Sequence, residues 1–159
     1  MALCLRPAGG RDAAVIAAIY NSNPDFLAHH LGRSRVDEAF LRAELEEMAR
    51  AGFASFLITE GTGGPVVAAA GVRGGETAYL SLLILARAAQ GRGLGRRCAA
   101  LLEEHLRSGD SRRVRIDVVD GHPGSPLPFW QRLGYAGSQR VNLTWGGKTS
   151  SALVLYKAL

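Results

Sequence analysis

The stretch Ala86-Arg87-Ala88-Ala89-Gln90-Gly91-Arg92-Gly93-Leu94-Gly95-Arg96-Arg97 decides the reading of this chain. It follows a run over 79–85 that is apolar on both alternating faces, the pattern of a central strand covered on both sides. It precedes a helix whose one face is traced by Leu94, Cys98, Leu101, Leu102 and His105 and which stops near Ser108-Gly109-Asp110. A strand therefore runs into a glycine- and arginine-rich turn that opens a helix. Free N–H groups at a helix N-terminus, with the helix dipole behind them, attract an anion. Glycines let the backbone approach a phosphate closely, and Arg87, Arg92, Arg96 and Arg97 add four positive charges within eleven residues.

Outward from this turn, the chain alternates between strand and helix signals. On the N-terminal side, Leu3-Cys4-Leu5-Arg6 reads as a strand stopped by Pro7. Residues 13–20 read as a helix with Asp12 as N-cap, and 21–33 read as irregular and polar. Ser34-Arg35-Val36-Asp37 has capping-box spacing ahead of a helix with Leu41, Leu45 and Met48 at i, i+4 and i+7, ending near Gly52. Strands over 53–60, 66–72 and 79–85, joined by short Gly-rich gaps, fit an antiparallel meander. On the C-terminal side come a strand over 114–119, a helix opened by Ser125-Pro126 and closed by Leu133-Gly134, and a hairpin of 139–145 with 151–157 around Gly146-Gly147. The order βααβββαβαββ predicts an α/β (α+β) fold, a mixed and mostly antiparallel sheet flanked by helices.

At 159 residues, the chain is expected to form one domain over 1–159. Hydrophobic residues at 47% and charged residues at 21% exclude a disordered chain. A net charge of +5 calls for an anionic partner: nucleic acid, a membrane or a phosphorylated ligand. Aromatics are only 7% and are not interleaved with arginine, which argues against nucleic acid. Cys4 and Cys98 are too few for a disulfide framework and lack partners at metal-ligand spacing, so no metal is expected. Without an apolar leader or a 20-residue apolar run, no membrane association is expected and the cytoplasm is the default location.

Among phosphate loops, a G-x-G-x-x-G fingerprint starting at Gly91 fails, because its last position is Arg96. Gly147-Lys148-Thr149 offers the end of a Walker loop but has Asn142 where the first glycine belongs, and it reads as a hairpin turn. The remaining pattern is Gln90-x-x-Gly93-x-Gly95. It resembles the acetyl-CoA pyrophosphate loop of the GNAT superfamily of N-acetyltransferases. Phe129-Trp130-Gln131-Arg132-Leu133-Gly134-Tyr135 resembles that family's second signature, an aromatic pair followed by a basic residue and then Gly-Phe or Gly-Tyr. The order of elements also matches the family fold over essentially the whole chain.

The resemblance implies an enzyme that moves the acetyl group of acetyl-CoA to a primary amine, by direct attack in a ternary complex. The amine would belong to a small molecule or a peptide, and homodimers are common in the family. Gly91, Arg92, Gly93, Leu94 and Gly95 would hold the pyrophosphate, with Gln90 closing the turn. Arg87 and Arg92 are candidates for the 3′-phosphate, with Arg96 beside them. Leu83, Ile84 and Leu85 would pair with the pantetheine arm where the strand splays from the 114–119 strand, with Phe129 and Trp130 beside it. A backbone N–H near Leu83 would face the acyl oxygen. Family members often protonate the departing thiolate with a tyrosine, where this chain has Trp130. Three candidates stand for the general base: Glu76 at the start of the central strand, and Asp120 and His122 beyond the next one. His29 and His30 fall in the acceptor-shaping segment but read as surface residues. Asp25, Asp37, Glu38 and Glu44 are carboxylates available to an acceptor pocket. Two other classes compete: a CoA-binding regulatory module on the same fold, and a basic nucleic-acid-binding domain.

Overall fold

The computed structural model describes residues 2–159. Seven strands form one sheet in the order β1-β2-β3-β4-β5-β7-β6. β2 (Ala54–Glu60), β3 (Val66–Arg73) and β4 (Thr77–Leu85) make the expected antiparallel meander, and β1 (Leu3–Pro7) adds antiparallel to β2. β5 (Arg113–Val119) lies parallel to β4, and β7 (Lys148–Ala158) inserts between β5 and β6 (Ala136–Trp145). The β6–β7 hairpin turns on Gly146 and Gly147, with φ of 57° and 84°, the left-handed pair that a two-residue turn requires.

Period-2 alternation sends side chains to two cores. On one face Phe56, Ile58, Ala68, Ala70 and Leu80 pack with Cys98, Leu102 and Leu106 of α4 (Leu94–Ser108) and with Trp130 of α5 (Leu127–Arg132). On the other, Leu57, Ala69 and Ile84 pack against α1 (Ala13–Asn21) and Leu41 of α3 (Glu38–Arg50). Cys98 is fully buried and its thiol is pushed up to about 11 by that burial, so it is no nucleophile.

Four local readings change. Segment 21–33 is helical, with α2 (Pro24–Phe26) running into a π-helical turn at Leu27–Leu31 that buries Leu27 and Leu31. Asp12 caps no N–H of α1; its carboxylate turns back to the Gly9 N–H (3.0 Å) and to Arg6 (3.3 Å). The N-cap of α3 is Asp37, which accepts from the Phe40 N–H at 2.8 Å, and not Ser34. On α4 the buried residue after Leu102 is Glu103, while His105 lies exposed with its ring edge on Phe56.

Candidate active site

β4 and β5 pair only over Thr77–Arg113, Ala78–Val114 and Tyr79–Arg115 and then part. Two features force the separation. Ser81 is an extra residue in β4, bulged between the Gly71–Leu82 and Val72–Leu80 pairs, and its hydroxyl donates to the Gly71 carbonyl at 3.1 Å. β5 meanwhile stays in register with β7 to its last residue. The unpaired edges wall two cavities, of about 680 and 580 Å³, which meet at Ser81, Leu82, Asp117, Leu143 and Trp145. Both lie in the range of small-molecule sites.

The larger cavity ends at the Gln90–Gly95 loop. Gly91 (φ 77°) and Gly93 (φ 73°) are left-handed, and α4 starts at Leu94 with no side chain capping its first turn. Gln90 closes the turn as expected: its amide donates to Asn23 Oδ1 (2.6 Å) and to the Leu85 carbonyl (3.2 Å). Asn23, absent from the sequence reading, also donates to the Leu85 carbonyl (2.9 Å) and pins α2 to the end of β4. A Cβ on Gly95 would stand 3.2 Å from the Phe129 ring, so this glycine allows α4 to lie against α5. Leu83, Ile84, Leu85, Arg87, Arg96, Phe129 and Trp130 line this cavity, joined by Arg132. Arg92 does not: its guanidinium meets both Glu60 oxygens at 3.1 Å. Leu94 is buried in the core and does not line the cavity. The loop, the arginines and the open strand edges fit a phosphorylated ligand with an extended arm.

The three candidate bases are not brought together. Glu76 is exposed at the closed end of the β4–β5 pair, where its carbonyl accepts from the Arg112 and Arg113 N–H groups, and it lines neither cavity. Asp120 is clamped by Arg140 through two 2.9 Å contacts, and this hydrogen-bonded partner holds its carboxyl below the usual range. His122 does line the larger cavity, its ring stacked on His29 at 3.8 Å, and burial lowers its pKa.

Among the described residues, the titratable side chain common to both cavities is Asp117, which the sequence reading passed over. Its side chain is 4% exposed and accepts from the Tyr79 hydroxyl and from Arg115 at 2.8 and 3.0 Å. Burial, then the Asp117 contact, raises the Tyr79 pKa, so Tyr79 stays a neutral donor. Trp145 also stands at the junction, and its indole N–H donates to Glu44 at 2.7 Å. Trp130 is 4% exposed and held edge-to-face between Phe129 and Tyr135.

His30 is half-buried, stacked on Phe26 at 4.6 Å with Trp145 nearby. Burial outweighs its bond to the Phe26 carbonyl and holds it down at about 4. The unfolded chain then binds this proton near 6.5 and the folded chain only near 4, so stability is lost as pH falls through that window. The loss is about 3 kcal/mol when complete. Thermal melts are expected to fall between pH 6.5 and 4, and more steeply than in His30→Phe; equal slopes would contradict this assignment.

The sequence profile of the acetyltransferase (GNAT) family matches residues 16–135. No curated protein matches the chain. Among solved structures, an acetyltransferase from Thermus thermophilus is similar at 24% identity and TM-score 0.78, over 100% of this chain and 98% of that one. A ribosomal-protein-alanine N-acetyltransferase from Brucella melitensis is similar at 21% identity and TM-score 0.70, over 98% and 99%. yncA from Salmonella typhimurium, solved with acetyl-CoA, is similar at 20% identity and TM-score 0.67, over 99% and 94%. At these identities the likeness is one of fold.

Proposed function

The chain belongs to the acetyltransferase (GNAT) family, and on that premise we propose that it transfers the acetyl group of acetyl-CoA directly to a primary amine within a ternary complex. The observation that carries this reading is the pair of cavities meeting at the β4–β5 splay. One ends at an uncapped, left-handed glycine loop flanked by Arg87 and Arg96, and the other carries carboxylates. The structural relative solved with acetyl-CoA supports the choice of ligand.

The thioester supplies an acetyl group already activated, so the protein's work is placement and charge stabilisation. Backbone N–H groups from Arg92 to Gly95 hold the pyrophosphate, and Arg87 and Arg96 serve the remaining phosphate in place of Arg92. The free edge of β4 over Leu83, Ile84 and Leu85 pairs with the pantetheine arm, and an N–H near Leu83 faces the acyl oxygen. Such a donor is worth about 3 kcal/mol where charge develops. Asp117, level with the bulged Ser81, accepts a hydrogen bond from the amine; Tyr79 and Arg115 hold it in place. It takes the role the sequence reading offered to Glu76 and Asp120, while His122 stands on the cosubstrate side. Trp130 serves packing, so Trp130→Phe is expected to keep most of kcat/KM. A thousandfold loss, about 4 kcal/mol, would contradict that.

The experiment is a CoA-thiol release assay over an amine panel. Amine-dependent release is expected. Acetyl-CoA binding with only slow, amine-independent hydrolysis would favour a CoA-binding regulatory module, the reading that Trp130 in place of tyrosine motivates.

A further inference from the structure

The two cavities carry opposite charge. The cosubstrate side is lined by three arginines, Arg87, Arg96 and Arg132, against two carboxylates, Asp25 and the shared Asp117. Among the described residues, no lysine, arginine or histidine lines the other cavity, which holds Glu44, Glu47 and Asp117. Around it, Arg115 binds Asp117, Arg73 stacks over Phe53 at 4.7 Å, and Arg33 stacks over Phe40 at 4.5 Å while its charge partly offsets that of Glu44. Asp117, proposed above to accept the reacting N–H, has its charge offset by Arg115, and Glu47 is exposed. Glu44 remains, half-buried, with Oε2 held by Trp145 at the junction of the cavities. A carboxylate accepts at both oxygens, so the indole bond orients Glu44 without saturating it.

The second observation concerns α3. Its apolar stripe of Leu41, Leu45 and Met48 is only partly covered: Leu41 is buried, while Leu45 and Met48 are half-exposed and line the cavity with Phe53 and Leu82. The part of an amphipathic stripe that a core leaves open to a cavity has an apolar ligand as its natural cover.

Resting on the acetyl-transfer reading, we infer that the acceptor is a small primary amine with an apolar body and no carboxylate, its ammonium received by Glu44 and its body lying on Leu45, Met48 and Phe53. A free amino acid brings an anion into a cavity with no cation to meet it. A polyamine brings charges in excess of the free carboxylates and leaves the apolar wall unmatched.

The test compares phenethylamine with phenylalanine, which shares its ring but adds a carboxylate, and with spermidine. Phenethylamine is expected to exceed both in kcat/KM by at least about tenfold. Glu44→Gln, which keeps the Trp145 hydrogen bond, is expected to raise the KM for phenethylamine about tenfold while the KM for acetyl-CoA stays put. Glu46→Gln, exposed on α3 and outside both cavities, is the control and should leave both unchanged. A preference for phenylalanine or spermidine, or a Glu44→Gln enzyme with unchanged amine KM, overturns the inference while leaving acetyl transfer standing. If acetyl-CoA binds but no amine is turned over, the transfer reading fails first. Calorimetry of phenethylamine with the CoA complex then judges the cavity alone: binding weakened in Glu44→Gln supports the inference, and no binding overturns it.

Discussion

Gly93→Asp is expected to weaken acetyl-CoA binding at least about a hundredfold, near 2.7 kcal/mol, with the fold intact. Gly93 precedes the first residue of α4 at φ 73°, and no heavy atom lies within 4 Å of where its Cβ would stand. The added side chain therefore meets open space. Aspartate is among the residues that best tolerate the left-handed conformation, and a negative charge there favours the start of a helix. The same charge occupies the seat of the pyrophosphate. Two unit charges 4 Å apart at a protein surface repel by about 4 kcal/mol, more than the loss expected. Gly93→Ala separates the effects, since it carries the backbone strain without the charge and should weaken binding much less. Calorimetric affinities for both variants, with melting temperatures near wild type, check the assignment. Unchanged affinity in Gly93→Asp would remove the loop from the binding site.

The largest effect on stability is expected from Lys157→Met. Glu103 is a buried carboxylate on α4. It accepts from the Tyr135 hydroxyl at 2.9 Å and from Lys157 of β7 at 2.9 Å, tying α4 to the Gly134-Tyr135 corner and to the sheet. Burial, then Glu103, raises the Tyr135 pKa, so Tyr135 stays a neutral donor and Lys157 supplies the compensating charge. Removing the lysine leaves a buried carboxylate with one neutral partner. Full burial would make this cost about 3–5 kcal/mol. Because Lys157 is partly exposed, about 2–3 kcal/mol is expected, a fall in melting temperature of roughly 5–10 °C. The paired change Glu103→Gln with Lys157→Met removes both charges while keeping an acceptor for the Tyr135 hydroxyl, and should recover most of the loss. A single variant as stable as wild type, or a double variant no better than the single, would contradict this account.

Much of the architecture was legible because it rests on patterns that are local. The apolar 79–85 run, the Gln90–Gly95 turn and the Gly146-Gly147 hairpin each carry their signal within a dozen residues, and the order of elements follows. What escaped the sequence depends on partners far away along the chain. Arg92 looks like a phosphate ligand until Glu60, from the end of β2, takes its guanidinium. Glu76 looks well placed until β5 pairs beside it and shows that end of β4 to be the closed one. Asp117 is one polar residue in an alternating strand; periodicity assigns it a face but cannot tell that two cavities meet there. Leu27 and Leu31, spaced i and i+4 among polar neighbours, were too sparse a pattern to announce the helical turn that brings His30 to the cavity wall and His29 against His122.

The net charge of +5 divides in the structure between the arginines at the loop, Arg92 paired with Glu60, and arginines spent on aromatic rings and carboxylates elsewhere. The central claim is that the loop and the β4–β5 splay hold acetyl-CoA. Isothermal titration of the wild-type protein with acetyl-CoA tests it most directly. Saturable one-to-one binding, tighter than about 100 μM and lost in Gly93→Asp, is the predicted result; no binding at about 1 mM ligand would contradict it.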